Sequence, residues 1–160
     1  GRWILLGVDA DGKRIFRRAF RGRLGETIAG AHANGVCMST SMVDTSSSTS
    51  IACFDRAGAL RWQRRIPRTS EWLVDDSGWV YVLRGDTHAR SVEAQWQVVG
   101  IDPDGVTAWT RDAGAAPYNL MLAGDDELCF FTEPVLGDPY SDRVMRGLAA
   151  PTLVCVQSRH

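Results

Sequence analysis

Lysine is almost missing from this chain: Lys13 is the only one among 18 basic residues. With 19 acidic residues the formal charge is −1, so no global field recruits nucleic acid or an anionic membrane. There is no apolar run of 18 or more residues, which excludes a membrane-spanning helix and any expectation of membrane insertion. No leader-like segment follows Gly1. The chain has no CxxC pair and no Cys/His spacing of a zinc site. It has no GxSxG context around the serines at 46–48. Helical periodicity is scarce: only 142–149 could wind a turn or two, weakened by Gly147. Catalytic and metal constellations are thus thin, and neither a metal nor another cofactor is expected.

The four cysteines, Cys37, Cys53, Cys129 and Cys155, each lie inside a short apolar run. They read as free, buried core residues, which favours a reducing, cytoplasmic compartment. His32, His88 and His160 fall in a predicted hairpin turn, a loop and the terminus, and are expected at the surface.

What the sequence does contain is a repeat. The stretches GVDADG (7–12), CFDRAG (53–58) and GIDPDG (100–105) align on Val8, Phe54 and Ile101, which are 46 and 47 residues apart. A weaker fourth copy centres on Val156 in LVCVQ (153–157). Four residues after each turn glycine stand Phe16, Trp62 and Trp109. One residue before the anchors stand Gly7, Cys53, Gly100 and Cys155, a position that wants a small side chain. A period of this length marks a repeat architecture.

Asp102-Pro103-Asp104-Gly105 matches a type I turn, with Asp first, Pro second and Gly fourth. The Asp side chain accepts from the turn's own amides, and the left-handed Gly makes the bulge that joins antiparallel strands. Asp9 with Gly12, and Asp55 with Gly58, fit the same scheme. Calcium ligation is the sharper alternative, but an EF-hand loop needs oxygen ligands beyond its glycine. Lys13-Arg14-Ile15-Phe16 and Ala59-Leu60-Arg61-Trp62 stand there instead, so hairpin turns are expected. The acid pairs Asp75/Asp76 and Asp125/Asp126 sit at matching hairpins and read as turn residues, not as paired catalytic carboxylates.

Between these turns run short strands in the order two, four, four and three, thirteen in all. Four short antiparallel strands per period predict an all-β partial β-propeller, about three blades' worth. It forms one domain over 1–160, with blade pieces near 1–23, 24–67, 68–114 and 115–160. Such a chain is expected to be part of a larger propeller. Its partners are then further blades of the same protein, another protein, or a second copy paired edge to edge.

The residues Asp55, Gly58 and Trp62, then Gly78 and Tyr81, then Asp102, Gly105 and Trp109 follow a recognisable pattern. It resembles the quinoprotein-like propeller repeats of the pyrroloquinoline-quinone dehydrogenases. Non-enzymatic relatives such as the outer-membrane-assembly lipoprotein share it. The resemblance covers nearly the whole chain and implies a bacterial, periplasmic setting. It also implies that Trp62, Trp109 and, as a substitute, Phe16 pack between neighbouring blades. The haem-attachment and adjacent-cysteine features of the quinone enzymes are missing, so the expected role is non-catalytic interaction or scaffolding. That role would be exercised through the long connections 43–50, 85–95 and 133–151. The alternative is a fragment of a propeller enzyme whose site is completed by other blades. A second alternative uses arginines on the predicted fourth strands, with Arg17, Arg18, Arg61 and Arg65 as a candidate band for an acidic partner. Nucleic acid is not the expected partner, and charge that protects an outer edge is the simpler reading.

Overall fold

The computed structural model describes residues 2–21, 29–41, 48–67, 69–85, 96–114, 117–124, 127–132 and 152–157. All regular structure among them is β, in thirteen strands. The predicted helix at 142–149 and most of the three long connections lie outside the described residues.

The strands form four antiparallel sheets of two, four, four and three strands, in the predicted order. β1 (Arg2–Val8) pairs with β2 (Arg14–Arg21). The second sheet runs β3 (Ala29–His32), β4 (Gly35–Ser41), β5 (Ser48–Asp55), β6 (Leu60–Pro67). The third runs β7 (Thr69–Val74), β8 (Val80–Arg84), β9 (Trp96–Ile101), β10 (Thr107–Gly114). The last consists of β11 (Pro117–Leu122), β12 (Glu127–Thr132) and β13 (Thr152–Gln157).

These segments become strands because their apolar residues alternate or run together between Gly- and Asp-rich turns. In the four-stranded sheets, strands two and three are apolar on both faces. Val80, Tyr81, Val82, Leu83 and Val98 are wholly buried. The fourth strand alternates: Trp62 and Ile66 of β6 point inward while Arg61, Gln63 and Arg65 are exposed.

The chain divides into two compact units. The first holds β1–β2, the sheet β3–β6 and the two turn tips 74–79 and 102–106 of the third sheet. Its core includes Cys37, Met38, Ile51, Phe54 and Trp62. The second holds the body of the third sheet together with β11–β13, cored by β8, β9 and Phe130. Within it Glu71 of β7 accepts from the backbone amides of Asn119 (3.0 Å) and Leu120 (2.8 Å) on β11. Asn119 is the one described non-glycine residue with positive φ, 55°. It sits at the register shift between Tyr118 and Met121.

The expectation of free cysteines is wrong. Cys37 is bonded to Cys53 and Cys129 to Cys155, each pair directly opposite on strands two and three of its sheet. The Cα–Cα separations are 4.0 and 4.1 Å, the close spacing of a non-hydrogen-bonded antiparallel pair. Nor are all four buried, since Cys155 is exposed. The third sheet fills the same position differently: fully buried Tyr81 faces Gly100. One large residue with one minimal one, or two linked cysteines, satisfies the same gap.

Candidate functional site

The recurring Asp-x-x-Gly corners are hairpin turns. In each, the Gly amide donates to the Asp carbonyl: Gly12 to Asp9 (3.0 Å), Gly58 to Asp55 (2.9 Å) and Gly105 to Asp102 (2.9 Å). The Asp Oδ1 accepts from the amides that follow, Lys13 at 2.8 Å, Ala59 at 2.8 Å and Val106 at 2.8 Å. The same construction recurs at Asp75–Gly78, between strands one and two, where Asp75 Oδ1 accepts from Ser77 and Trp79. The glycine φ angles are 77°, 77°, 84° and 89° at Gly12, Gly58, Gly105 and Gly78. This is the left-handed region that makes the bulge and favours glycine. Asp75 is thus a turn residue, as its repetition implies; Asp125 and Asp126 lie outside the described residues.

Two of these corners also form joints between sheets. Phe16 of β2 lies where a β-carbon on Gly58 would stand, and Arg18, two residues on, donates from Nε to the Gly58 carbonyl at 2.6 Å. Trp62 of β6 lies against Gly105, where a β-carbon would fall 2.6 Å from its Cγ. Trp62 Nε1 donates to the Pro103 carbonyl at 3.1 Å, and Arg64 to the Gly105 carbonyl at 2.9 Å. On their own sheets, Phe16 faces Gly7 and Trp62 faces Cys53. The aromatic ring is therefore held between the small residue of its own third strand and the turn glycine of the next sheet. Trp109 covers Gly100 in the same manner, 6.1 Å from the Tyr81 ring, with the Arg111 guanidinium 5.5 Å over its centroid. Gly12 has nothing within 4 Å of the position its β-carbon would take.

Two of the four arginines singled out in the sequence have specific partners. Arg18 is used at the joint, and Arg61 pairs with Asp104 at 3.1 Å. Arg17 and Arg65 are exposed and, by strand alternation, lie on the face away from Phe16 and Trp62. The pairing of Arg18 and Arg64 with turn carbonyls escapes a reading based on charge alone. Its signal is positional, since both follow the recurring aromatic by two residues.

His32 departs from the expectation of a surface histidine. It is half-buried beside Gly78, its Nδ1 accepts from the Asn34 amide at 3.3 Å, and its buried Nε2 has no partner among the described residues. Burial, aided by the Arg61 charge and opposed by Asp75, lowers its pKa below the usual 6.5. The folded state therefore takes up a proton less readily than the unfolded one. Stability from this site is fully present above about pH 6.5 and is lost as pH falls through the lowered folded pKa. Urea denaturation at pH 7.5 and 5.5 is expected to show an acid loss that His32→Gln reduces. His88 and His160 lie outside the described residues.

Glu127, Cys129 and Cys155 bring a carboxylate and two sulfurs within 4.8 Å of one another. While the sulfurs are bonded to each other they are not thiolate ligands. No helix among the described residues is long and apolar enough to cross a membrane. The chain matches no protein-family model, and no curated protein is significantly similar to it.

Proposed function

We propose that this chain is a non-catalytic interaction and scaffolding module built from quinoprotein-like propeller blades. The observation that carries the reading is the fate of the recurring residues. Asp9, Asp55 and Asp102 are engaged by their own turns, and Phe16, Trp62, Arg18 and Arg64 by the joint to the next sheet. The residues that repeat are thus structural, which leaves loops and sheet faces for partners.

A second observation supports partner binding. On β1, Ile4, Leu6 and Val8 line one face and are 43, 54 and 59% exposed. Phe54 and Ile101, the repeat equivalents of Val8, are 3 and 1% exposed. An apolar stripe of this kind suits a further sheet of the same type or a protein surface. The two disulfides support an oxidising compartment, in line with a periplasmic setting and against the cytoplasmic expectation drawn from free thiols.

The competing reading is a fragment of a quinone-dependent enzyme. Thermal unfolding with pyrroloquinoline quinone and calcium at about 1 mM separates the two, because a ligand that binds only the folded state raises its melting temperature. The scaffold reading predicts a change below about 1 °C; a rise of about 2–4 °C or more, the shift that 1 kcal/mol of stabilisation gives a chain of this length, contradicts it.

A further inference from the structure

We propose that His32 is a pH-dependent latch: taking up a proton releases the β3–β4 turn from the corner that joins β7 to β8, while the sheets themselves stay folded. The latch goes beyond the scaffold reading and does not depend on it.

Its parts all lie inside the first compact unit. The β3–β4 turn reaches the next sheet through the Ala33 amide, which donates to the Asp76 carbonyl at 2.9 Å. The Ala33 carbonyl accepts from Arg56 Nε at 2.6 Å, so the turn is also tied to the Asp55–Gly58 corner of its own sheet. The His32 ring covers Gly78 so closely that a β-carbon there would fall 3.0 Å from Nδ1. The same Nδ1 braces the turn from within by accepting from the Asn34 amide at 3.3 Å. One side chain thus supports both the shape of the turn and its contact with the neighbouring sheet.

The choice of residue is what makes this turn different. At three other turns the first residue also accepts from the amide two residues on, but it is an aspartate. Asp9 accepts from Asp11 at 3.1 Å, Asp75 from Ser77 at 2.9 Å and Asp102 from Asp104 at 3.0 Å. An aspartate side chain ordinarily stays an acceptor down to about pH 4, whereas an imidazole ordinarily gives up that role near about pH 6.5. His32 therefore puts an acceptor that titrates near neutrality where the other turns hold a carboxylate.

The contacts suit only the neutral ring. An Nδ1 that accepts carries no proton, so the neutral tautomer has its proton on Nε2, which is buried and has no partner among the described residues. A second proton must go to Nδ1, and it turns the acceptor into a donor aimed at the Asn34 N–H. The new charge is partly desolvated and lies near the Arg61 guanidinium of β6. Asp75 attracts it, but Asp75 Oδ1 already accepts from the Ser77 and Trp79 amides. Arg56 brings a further cation to the turn, and Asp76 meets it through a backbone carbonyl. Lifted into water, the turn hydrates the imidazolium and gives Nδ1–H an acceptor. Opening and protonation therefore favour each other. The closed latch is fully favoured above the ordinary value of 6.5 and loses ground as pH falls through the lowered value of the closed state.

Amide hydrogen exchange on the whole chain, followed by NMR and corrected for its intrinsic pH dependence, tests the latch at Ala33. Gly105 is the reference amide, because it donates within its own corner to Asp102. Between pH 7.5 and 5.5 the protection of Ala33 should fall by about threefold to tenfold, the upper figure being the limit one unit below an open-state value of 6.5. Gly105 should change by less than about twofold, as a separate local opening does. The imidazole nitrogen shifts at pH 7.5 should be those of the Nε2–H tautomer. His32→Gln, whose side chain keeps an acceptor that does not titrate, should leave Ala33 equally protected across the range. Equal falls at Ala33 and Gly105 would mean general destabilisation and overturn the proposal. So would Ala33 protection that ignores pH, an Nδ1–H tautomer at pH 7.5, or a fall that persists in His32→Gln. Should His32→Gln not fold, the two amides and the tautomer of the unaltered chain decide the matter.

Discussion

Trp62→Ala is expected to destabilise the chain by about 3–5 kcal/mol, the usual range for removing a large buried aromatic. The ring is 8% exposed and touches both its own sheet and the following turn. Its loss leaves a cavity at the joint and strands the Pro103 carbonyl without its Nε1–H donor. Trp62→Phe separates the two contributions: it retains most of the packing and should cost about 1 kcal/mol for the hydrogen bond, plus a smaller packing loss. Urea denaturation followed by tryptophan fluorescence and circular dichroism gives both numbers. A Trp62→Ala cost within about 0.5 kcal/mol of zero, the range of an ordinary surface substitution, would mean that the ring is not a joint.

The second large effect belongs to the disulfides. Cys37 and Cys53 are 16 residues apart, and opening that loop in a Cys37→Ala/Cys53→Ala chain is expected to cost about 3 kcal/mol. The two bonds should also differ under mild reductant. Cys37 and Cys53 are 0 and 2% exposed, whereas Cys155 lies open on an edge strand. Attack by a thiolate needs access to a sulfur. Alkylation and mass spectrometry after brief, mild reduction of the native chain should therefore label Cys129 and Cys155 first. Labelling of Cys37 and Cys53 ahead of them would contradict the assigned exposures.

Much of this architecture is legible in the sequence, because its repeat is carried by residues with narrow conformational uses. Asp followed three residues later by Gly fixes a bulged turn whatever the surroundings. The recurrence of that pair with Phe16, Trp62 and Trp109 sets strand order and register together. The cysteine pairing is equally encoded, though less visibly. Cys53 and Cys155 align with Gly7 and Gly100, but the partners emerge only when Cys37 and Cys129 are aligned with Tyr81 on the second strand. A reading from hydrophobicity alone sees a small apolar residue in both places. Glu71 was illegible for a different reason: its contacts with Asn119 and Leu120 lie 48 and 49 residues away, and it has no counterpart in the other periods. Charge alone does not show that the guanidinium groups of Arg18 and Arg64 donate to turn carbonyls of the next sheet.

The central claim is that the turn glycine is where one sheet receives the aromatic of the sheet before it. Gly12 and Gly105 test it as a matched pair. Both have left-handed φ, 77° and 84°, so alanine at either costs about 1–2 kcal/mol for the backbone alone. At Gly12 the added β-carbon meets nothing within 4 Å, while at Gly105 it meets Trp62. Unfolding free energies should show Gly105→Ala costing about 1–3 kcal/mol more than Gly12→Ala, the range for overpacking a filled site. Equal costs would contradict the joint.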